Sequence, residues 1–369
     1  MDTTSTFLYL NQKDMIEAGV TDMRHCIEVL DDMFQLLSDG DYIMGGKNAN
    51  SHGILLAFPD NPPFPHMPKN GPDRRYMAMP AYLGGKFDVV GMKWYGSNKE
   101  NCDKGLPRSI LTHMLNDKET GAPIALQSAN LLSSMRTGAI PGVGAKYLAK
   151  KDSKVLGVIG PGVVSRSSCM AIIEACPGID TVQICGRRRV TSENLGTHLL
   201  AYSPQVKNIV IVDTMEEAVR GADIVCIATS GAAQDPYIKE EWIKPGALFC
   251  LPASIHFDDI FLTGNRVSHV VDNWKMYESW RDEFEYPYYK AIDELACYYL
   301  DMIHDNKMTA ERIINLGDII LGKKKAREHE DDIVLFTSGG MPVEDVAWGY
   351  TIYQQARQMG IGVELDLWG

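Results

Sequence analysis

One stretch of this chain joins a glycine-rich turn to a run of arginines. Gly160-x-Gly162-x-x-Ser165 directly follows the apolar segment Val155–Ile159 and opens a segment of helical pattern. The first glycine permits a tight turn, and the second lets the backbone approach a pyrophosphate. The helix that begins at Val163 and Val164 turns free N–H groups and a positive dipole end toward such an anion. Pro161 has no N–H and cannot donate.

The next apolar segment selects the nucleotide. A carboxylate at its end would hydrogen-bond the ribose 2′-hydroxyl of NAD. Here the segment ends Ile184-Cys185-Gly186-Arg187-Arg188-Arg189, with no acid. A guanidinium pairs with a 2′-phosphate, which a carboxylate would repel. NADP(H) is therefore favoured over NAD(H), with Arg187 as first partner and Arg188 as second. Asp213, Thr229 and Ser230 stand at the ends of the following apolar segments and are placed to border the cofactor.

Other reactive side chains are less patterned. The eight cysteines form no C-x-x-C pair, and the nine histidines show no H-E-x-x-H spacing. Buried, reduced thiols and no metal site are expected.

The elements that must position these residues fall into two patterns. From Lys154 onward, short apolar strands alternate with helices, which predicts a parallel sheet covered on both faces. Before it, Asp14 to Leu37 reads as one helix, from apolar residues at three- and four-residue steps. Strand-like segments follow at Tyr76–Met79, Val89–Trp94 and Ala122–Gln127, then a helix over Leu131–Leu148. The Pro-rich stretch over 58–68 cannot be helix and reads as a surface loop. Ser279 to Ile320 reads as mainly helical with an aromatic start, and Val343 to Met359 as a last helix.

Several further motifs carry a resemblance. They are Met79-Pro80-Ala81, Gly91-Met92-Lys93-Trp94, Asn98 to Pro107, Leu131 to Ala139 around Arg136-Thr137, and Ser338-Gly339-Gly340 to Glu344-Asp345. With the Gly160/Gly162 turn, they make the chain resemble the ornithine cyclodeaminase/mu-crystallin family. The resemblance implies an α/β fold: a Rossmann dinucleotide-binding domain over 138–342, with a discontinuous α+β substrate and dimerisation domain over 1–137 to which 343–369 returns. It implies a homodimer acting on small α-amino or α-imino acids. It places Lys93 and Arg136 around the substrate carboxylate, with Lys47 as a looser third position. It adds Thr137 and Ser254 to the cofactor side. A lysine and an arginine on one carboxylate would orient the α-carbon for hydride transfer.

One departure shifts the expected chemistry. Cyclodeaminases of the family carry an aspartate just after the fifth Rossmann strand. Here Ala253-Ser254 is followed by no acid until Asp258, which is the remaining candidate for that role. Reductase or dehydrogenase chemistry is thus favoured over an ammonia-releasing cyclodeaminase or a non-catalytic NADPH-binding crystallin-like protein. With 36 Lys+Arg against 48 Asp+Glu, the net charge of -12 disfavours nucleic-acid binding. No apolar run is long enough to span a membrane and no signal peptide is evident, so a cytoplasmic protein is expected.

Overall fold

A computed structural model describes residues 5–229 and 236–368. In chain order its first elements are β1 (Thr6–Leu10), α1 (Gln12–Glu17), α2 (Met23–Asp39), β2 (Tyr42–Met44), β3 (Ile54–Ala57), β4 (Arg75–Leu83), β5 (Val89–Ser97), β6 (Ser109–Asn116), β7 (Pro123–Ser128) and α3 (Asn130–Leu148). Next come β8 (Val155–Ile159), α4 (Val163–Ala175), β9 (Thr181–Cys185), α5 (Arg189–Tyr202), β10 (Asn208–Val212), α6 (Met215–Val219), β11 (Ile224–Ile227), β12 (Leu248–Leu251), α7 (Asp259–Thr263) and β13 (Val267–Val271). The last are α8 (Trp274–Glu283), α9 (Tyr288–Ala291), α10 (Leu295–His304), β14 (Ile313–Asn315), α11 (Leu316–Ile320), β15 (Ile333–Thr337), α12 (Pro342–Met359) and β16 (Val363–Asp366).

The chain divides into two compact units. One comprises Met1–Asp22, Gly40–Arg136 and Met341–Gly369, and the other Met23–Asp39 and Thr137–Gly340. The first unit is a mixed sheet in the order β16-β1-β7-β6-β5-β4-β2, with β3 also on β4. Only β1 and β7 pair in parallel; the remaining neighbours are antiparallel. Helix α12 packs on β4, β5 and β6 of this sheet. One row of registered residues runs across it: Met79, Lys93, His113, Gln127 and Leu10. All five are buried.

The second unit is a parallel sheet in the order β10-β9-β8-β11-β12-β15-β13-β14. The strand order reverses between β8 and β11, which is where open α/β sheets bind ligands.

Three expectations are corrected. The helix read over 14–37 is two helices, because Gly19 turns the chain at φ +88°. The second of them, α2, belongs to the parallel-sheet unit, although the domain boundaries expected from the sequence put it in the first. Its apolar stripe of Cys26, Ile27, Leu30, Met33 and Phe34 is buried there, and Arg24 bonds Glu174 at 2.9 Å. The stretch 279–320 is not one helix but the end of α8, the helices α9, α10 and α11 and the strand β14, broken where Pro287 opens α9 and Glu294 opens α10. Strands β1, β6 and β16 were not anticipated; in β6 the polar Thr112 and His113 interrupt the apolar pattern. Seven cysteines are buried and Cys102 is exposed. Among the described residues no helix is long and apolar enough to cross a membrane.

Candidate active site

The glycine turn lies at the switch point of the parallel sheet. Gly160 has φ +84°, and a Cβ there would stand 2.8 Å from Thr229 Cγ2 and 2.9 Å from the Ala228 carbonyl oxygen. Only glycine fits. The Ser165 hydroxyl donates to the Gly160 carbonyl and ties the turn to the first turn of α4. Gly162 caps α4 with no side chain, and open space lies where its Cβ would be. The N–H groups at this end of a 13-residue helix are thus left for an anion.

A cleft of about 310 Å³ opens on this turn, lined by Gly160, Gly162, Arg187, Arg188, Thr191 and Thr229, among others. Arg189 turns away and pairs with Glu193 at 3.0 Å. Two of the three arginines therefore face the cleft, as a group that binds a phosphate would require. Val163 stands exposed on the first turn of α4, beside Val164. Asp213 is exposed just beyond β10, where its N–H donates to Glu217. Ser254 is on the loop after β12 and donates to the Asp293 carbonyl. Thr137 begins the second unit on α3. Ser230 lies outside the described residues.

The first unit builds a buried ionic cluster. Lys93 Nζ donates to Asp345 Oδ2 at 2.8 Å and to Ser133 Oγ at 3.3 Å. Arg136 Nε donates to Asp345 Oδ1 at 3.1 Å, and its Nη1 to Glu344 Oε2 at 2.5 Å. The four side chains are at most 6% exposed. Glu344 and Asp345 occupy the first turn of α12, where the helix dipole favours carboxylates. Sequence reasoning saw two cations meeting a substrate carboxylate. In the structure both cations are held by internal carboxylates, which leave the cluster formally neutral and fix its geometry.

Electrostatics follow from burial. Desolvation and the neighbouring Arg136 push the Lys93 ammonium down to about 8, against the pull of Asp345. Burial works against the Asp345 charge, but Arg136 and Lys93 still hold its carboxyl below the usual range. Burial pushes the imidazole of His113, opposite Lys93 on β6, below the usual histidine range. Its Nδ1 meets Gln127 Oε1 at 2.8 Å, and Gln127 donates to the Gly349 carbonyl at 2.9 Å. Sequence reasoning missed Glu344 and Asp345 as the holders of the cations, and the His113–Gln127 pair. Their signal was polar residues on the inward-facing register of a sheet and at the start of a helix.

Two further candidates stand elsewhere. Lys47 is exposed on the turn between β2 and β3, outside the buried cluster. Asp258 belongs to the second unit, where it is the exposed N-terminal cap of α7 and accepts a hydrogen bond from the Tyr237 hydroxyl.

The sequence model of the ornithine cyclodeaminase/mu-crystallin family matches residues 19–360, and the chain belongs to that family. An N-((2S)-2-amino-2-carboxyethyl)-L-glutamate dehydrogenase of Staphylococcus aureus is 29% identical over 366 residues, 98% of each chain. A solved structure of Thermococcus litoralis Delta(1)-pyrroline-2-carboxylate reductase, in complex with NADH and L-proline, matches with a TM-score of 0.77 and 25% identity, covering 97% of this chain and 99% of that one. An archaeal alanine dehydrogenase dimer with bound NAD shares the fold, with a TM-score of 0.77 at 24% identity over 98% and 100% of the two chains.

Proposed function

We propose that this chain is an NADP(H)-dependent reductase or dehydrogenase of α-imino and α-amino acids, working as a homodimer. The observation that carries the reading is the switch-point cleft, where a glycine turn, an uncapped helix end and two arginines meet. The named activities of its relatives, dehydrogenase and reductase, support the same class.

Gly160, Gly162 and the N-terminus of α4 would hold the pyrophosphate, and Arg187 with Arg188 the 2′-phosphate. The bound nicotinamide supplies or accepts the hydride. Lys93 and Arg136 grip the substrate carboxylate, with Asp345 and Glu344 fixing both cations in place before the ligand arrives. That pre-alignment is how a protein lowers the entropic cost of reaction. The reductase and the alanine dehydrogenase structures hold NADH and NAD; the preference for the phosphorylated form rests on Arg187, Arg188 and the missing carboxylate.

The test is a pair of binding titrations. Arg187→Glu replaces a cation with an anion beside the proposed phosphate. A charge-assisted contact is worth about 1.5–3 kcal/mol, so NADPH affinity should fall at least tenfold while NADH affinity holds. Equal losses for both cofactors would remove the NADP(H) assignment.

A further inference from the structure

The nucleotide cleft lies wholly within the second unit, and a second helix opens onto it beside α4. Helix α5 has 14 residues and begins directly after the Arg187–Arg188 pair. Its N-cap is Arg188, whose side chain makes no cap hydrogen bond. A guanidinium has donors and no acceptor, so it cannot satisfy the opening N–H groups of the helix. These groups and the positive dipole end are left for an anion. The next helix on this edge is built differently: Thr214 and Glu217 close the end of α6 with a reciprocal capping box.

A separate observation marks the same end of α5. Ser192 is fully buried, and among the described residues its Oγ has no hydrogen-bond partner. Buried hydroxyls are normally paired. This one points back along the helix to Gly186, where a Cβ would stand 2.5 Å from Ser192 Oγ, 2.5 Å from Pro161 Cγ and 2.7 Å from Pro161 Cδ. Pro161, Cys185 and Arg187, which surround that position, all line the cleft. The unpartnered hydroxyl therefore lies under the floor of the cleft, where the glycine turn and the start of α5 come together. Thr191 orders the rim. Its hydroxyl and its N–H both donate to the Arg188 carbonyl, at 2.6 and 3.0 Å, and so fix the backbone that carries the Arg188 guanidinium.

We infer that the opening of α5 is a second phosphate cradle, built for a phosphomonoester on the adenosine ribose. The inference rests on the NADP(H) reading above and deepens it. The opening N–H groups of α5 and the Ser192 hydroxyl donate to the phosphate from the protein side, and Arg187 and Arg188 from the solvent side. Gly186 and Thr191 are positioning residues. Gly186 lets Pro161 and Ser192 meet across it, so the pyrophosphate at α4 and the monoester at α5 are held at one fixed spacing. The same contact shuts a Cβ out of position 186, the first residue past β9, so a carboxylate for an unphosphorylated ribose has no room there. The adenosine half of the cofactor thus carries the discrimination by itself, without the nicotinamide.

The test uses the full chain and two probes that differ only in the 2′-phosphate, 2′,5′-ADP and 5′-AMP, each titrated by calorimetry. The parent should bind 2′,5′-ADP at least about tenfold more tightly. Ser192→Ala removes only the unpartnered hydroxyl, and should cut that ratio by about threefold or more while 5′-AMP affinity holds. Gly186→Ala should cut the ratio further, because the added Cβ drives the two cradles apart. A merely structural role for either residue would lower both affinities together and leave the ratio as it was. Where Gly186→Ala loses 5′-AMP binding as well, Ser192→Ala decides. A parent preference that Ser192→Ala leaves intact overturns the α5 cradle and keeps the arginines as the discriminating groups. A parent that binds both probes equally overturns the NADP(H) reading, and the cradle with it.

Discussion

Lys93 occupies the inward register of β5, between Met79 and His113, where an ammonium ion belongs only if it is paired. Asp345 is that pair. Removing one partner of a buried ion pair typically costs about 3–5 kcal/mol, because the other charge is left uncompensated. Asp345→Asn, which strips the charge facing both Lys93 and Arg136, should lower unfolding free energy by that order in urea melts. A loss below about 1 kcal/mol would mean that the cluster is not closed as described. The lowered affinity of Lys93 for its proton gives a second expectation. Binding of an α-carboxylate needs the ammonium form, so affinity should fall as pH rises through about 8. It should stay level up to the ordinary lysine range only if Lys93 is not a carboxylate ligand. Calorimetric titration with a non-reacting α-keto acid reads this directly.

At the scale of elements, α12 crosses the sheet over a deliberate gap. A Cβ on Gly349 would stand 2.5 Å from the His113 ring, so helix and strand approach as closely as they do only because that position is glycine. Gly349→Ala forces the ring or the helix aside, at about 1–3 kcal/mol. It should also loosen the grip of Asp345 on Lys93, one helical turn away on the same helix. A melting temperature equal to the parent's would show that α12 is free to shift. Much of the second unit was legible in the sequence, since continuous apolar strands alternating with helices leave few other folds. Gly160, Gly162 and Arg187 were legible for the same reason: a turn between a strand and a helix is a local event. Strand β6 and the His113–Gln127 contact were not. Their polar residues face inward only because α12, more than 200 residues later, carries a glycine and two acids to meet them. The division of Asp14–Leu37 at Gly19 was hidden because both halves share one helical period.

Across the whole molecule, a net charge of -12 coexists with cations reserved for small anions. Arg187 and Arg188 line one cleft, and Lys93 and Arg136 are kept in a neutral buried cluster. Protonation of the buried groups also sets how stability varies with pH. The folded Glu294 holds its proton up to about 8, whereas the unfolded one releases it near 4.5, so its contribution falls as pH rises through that interval. Lys93 acts oppositely: between about 8 and 10.5 the unfolded chain still holds a proton that the folded chain has released, and its contribution rises with pH. Asp272, raised by burial to about 6, adds a fall of its own below that pH, so Glu294→Gln should flatten the dependence between about 6 and 8 and leave the second, as urea melts across that range would report. The account turns most on the fate of one hydride. With NADPH deuterated at nicotinamide C4 and a cyclic or acyclic α-imino acid, mass spectrometry should find one deuterium on the α-carbon of the amino acid formed, with one NADPH consumed for each. Ammonia released from a diamino acid with no net change in reduced nicotinamide, and no such deuterium transfer, would contradict it.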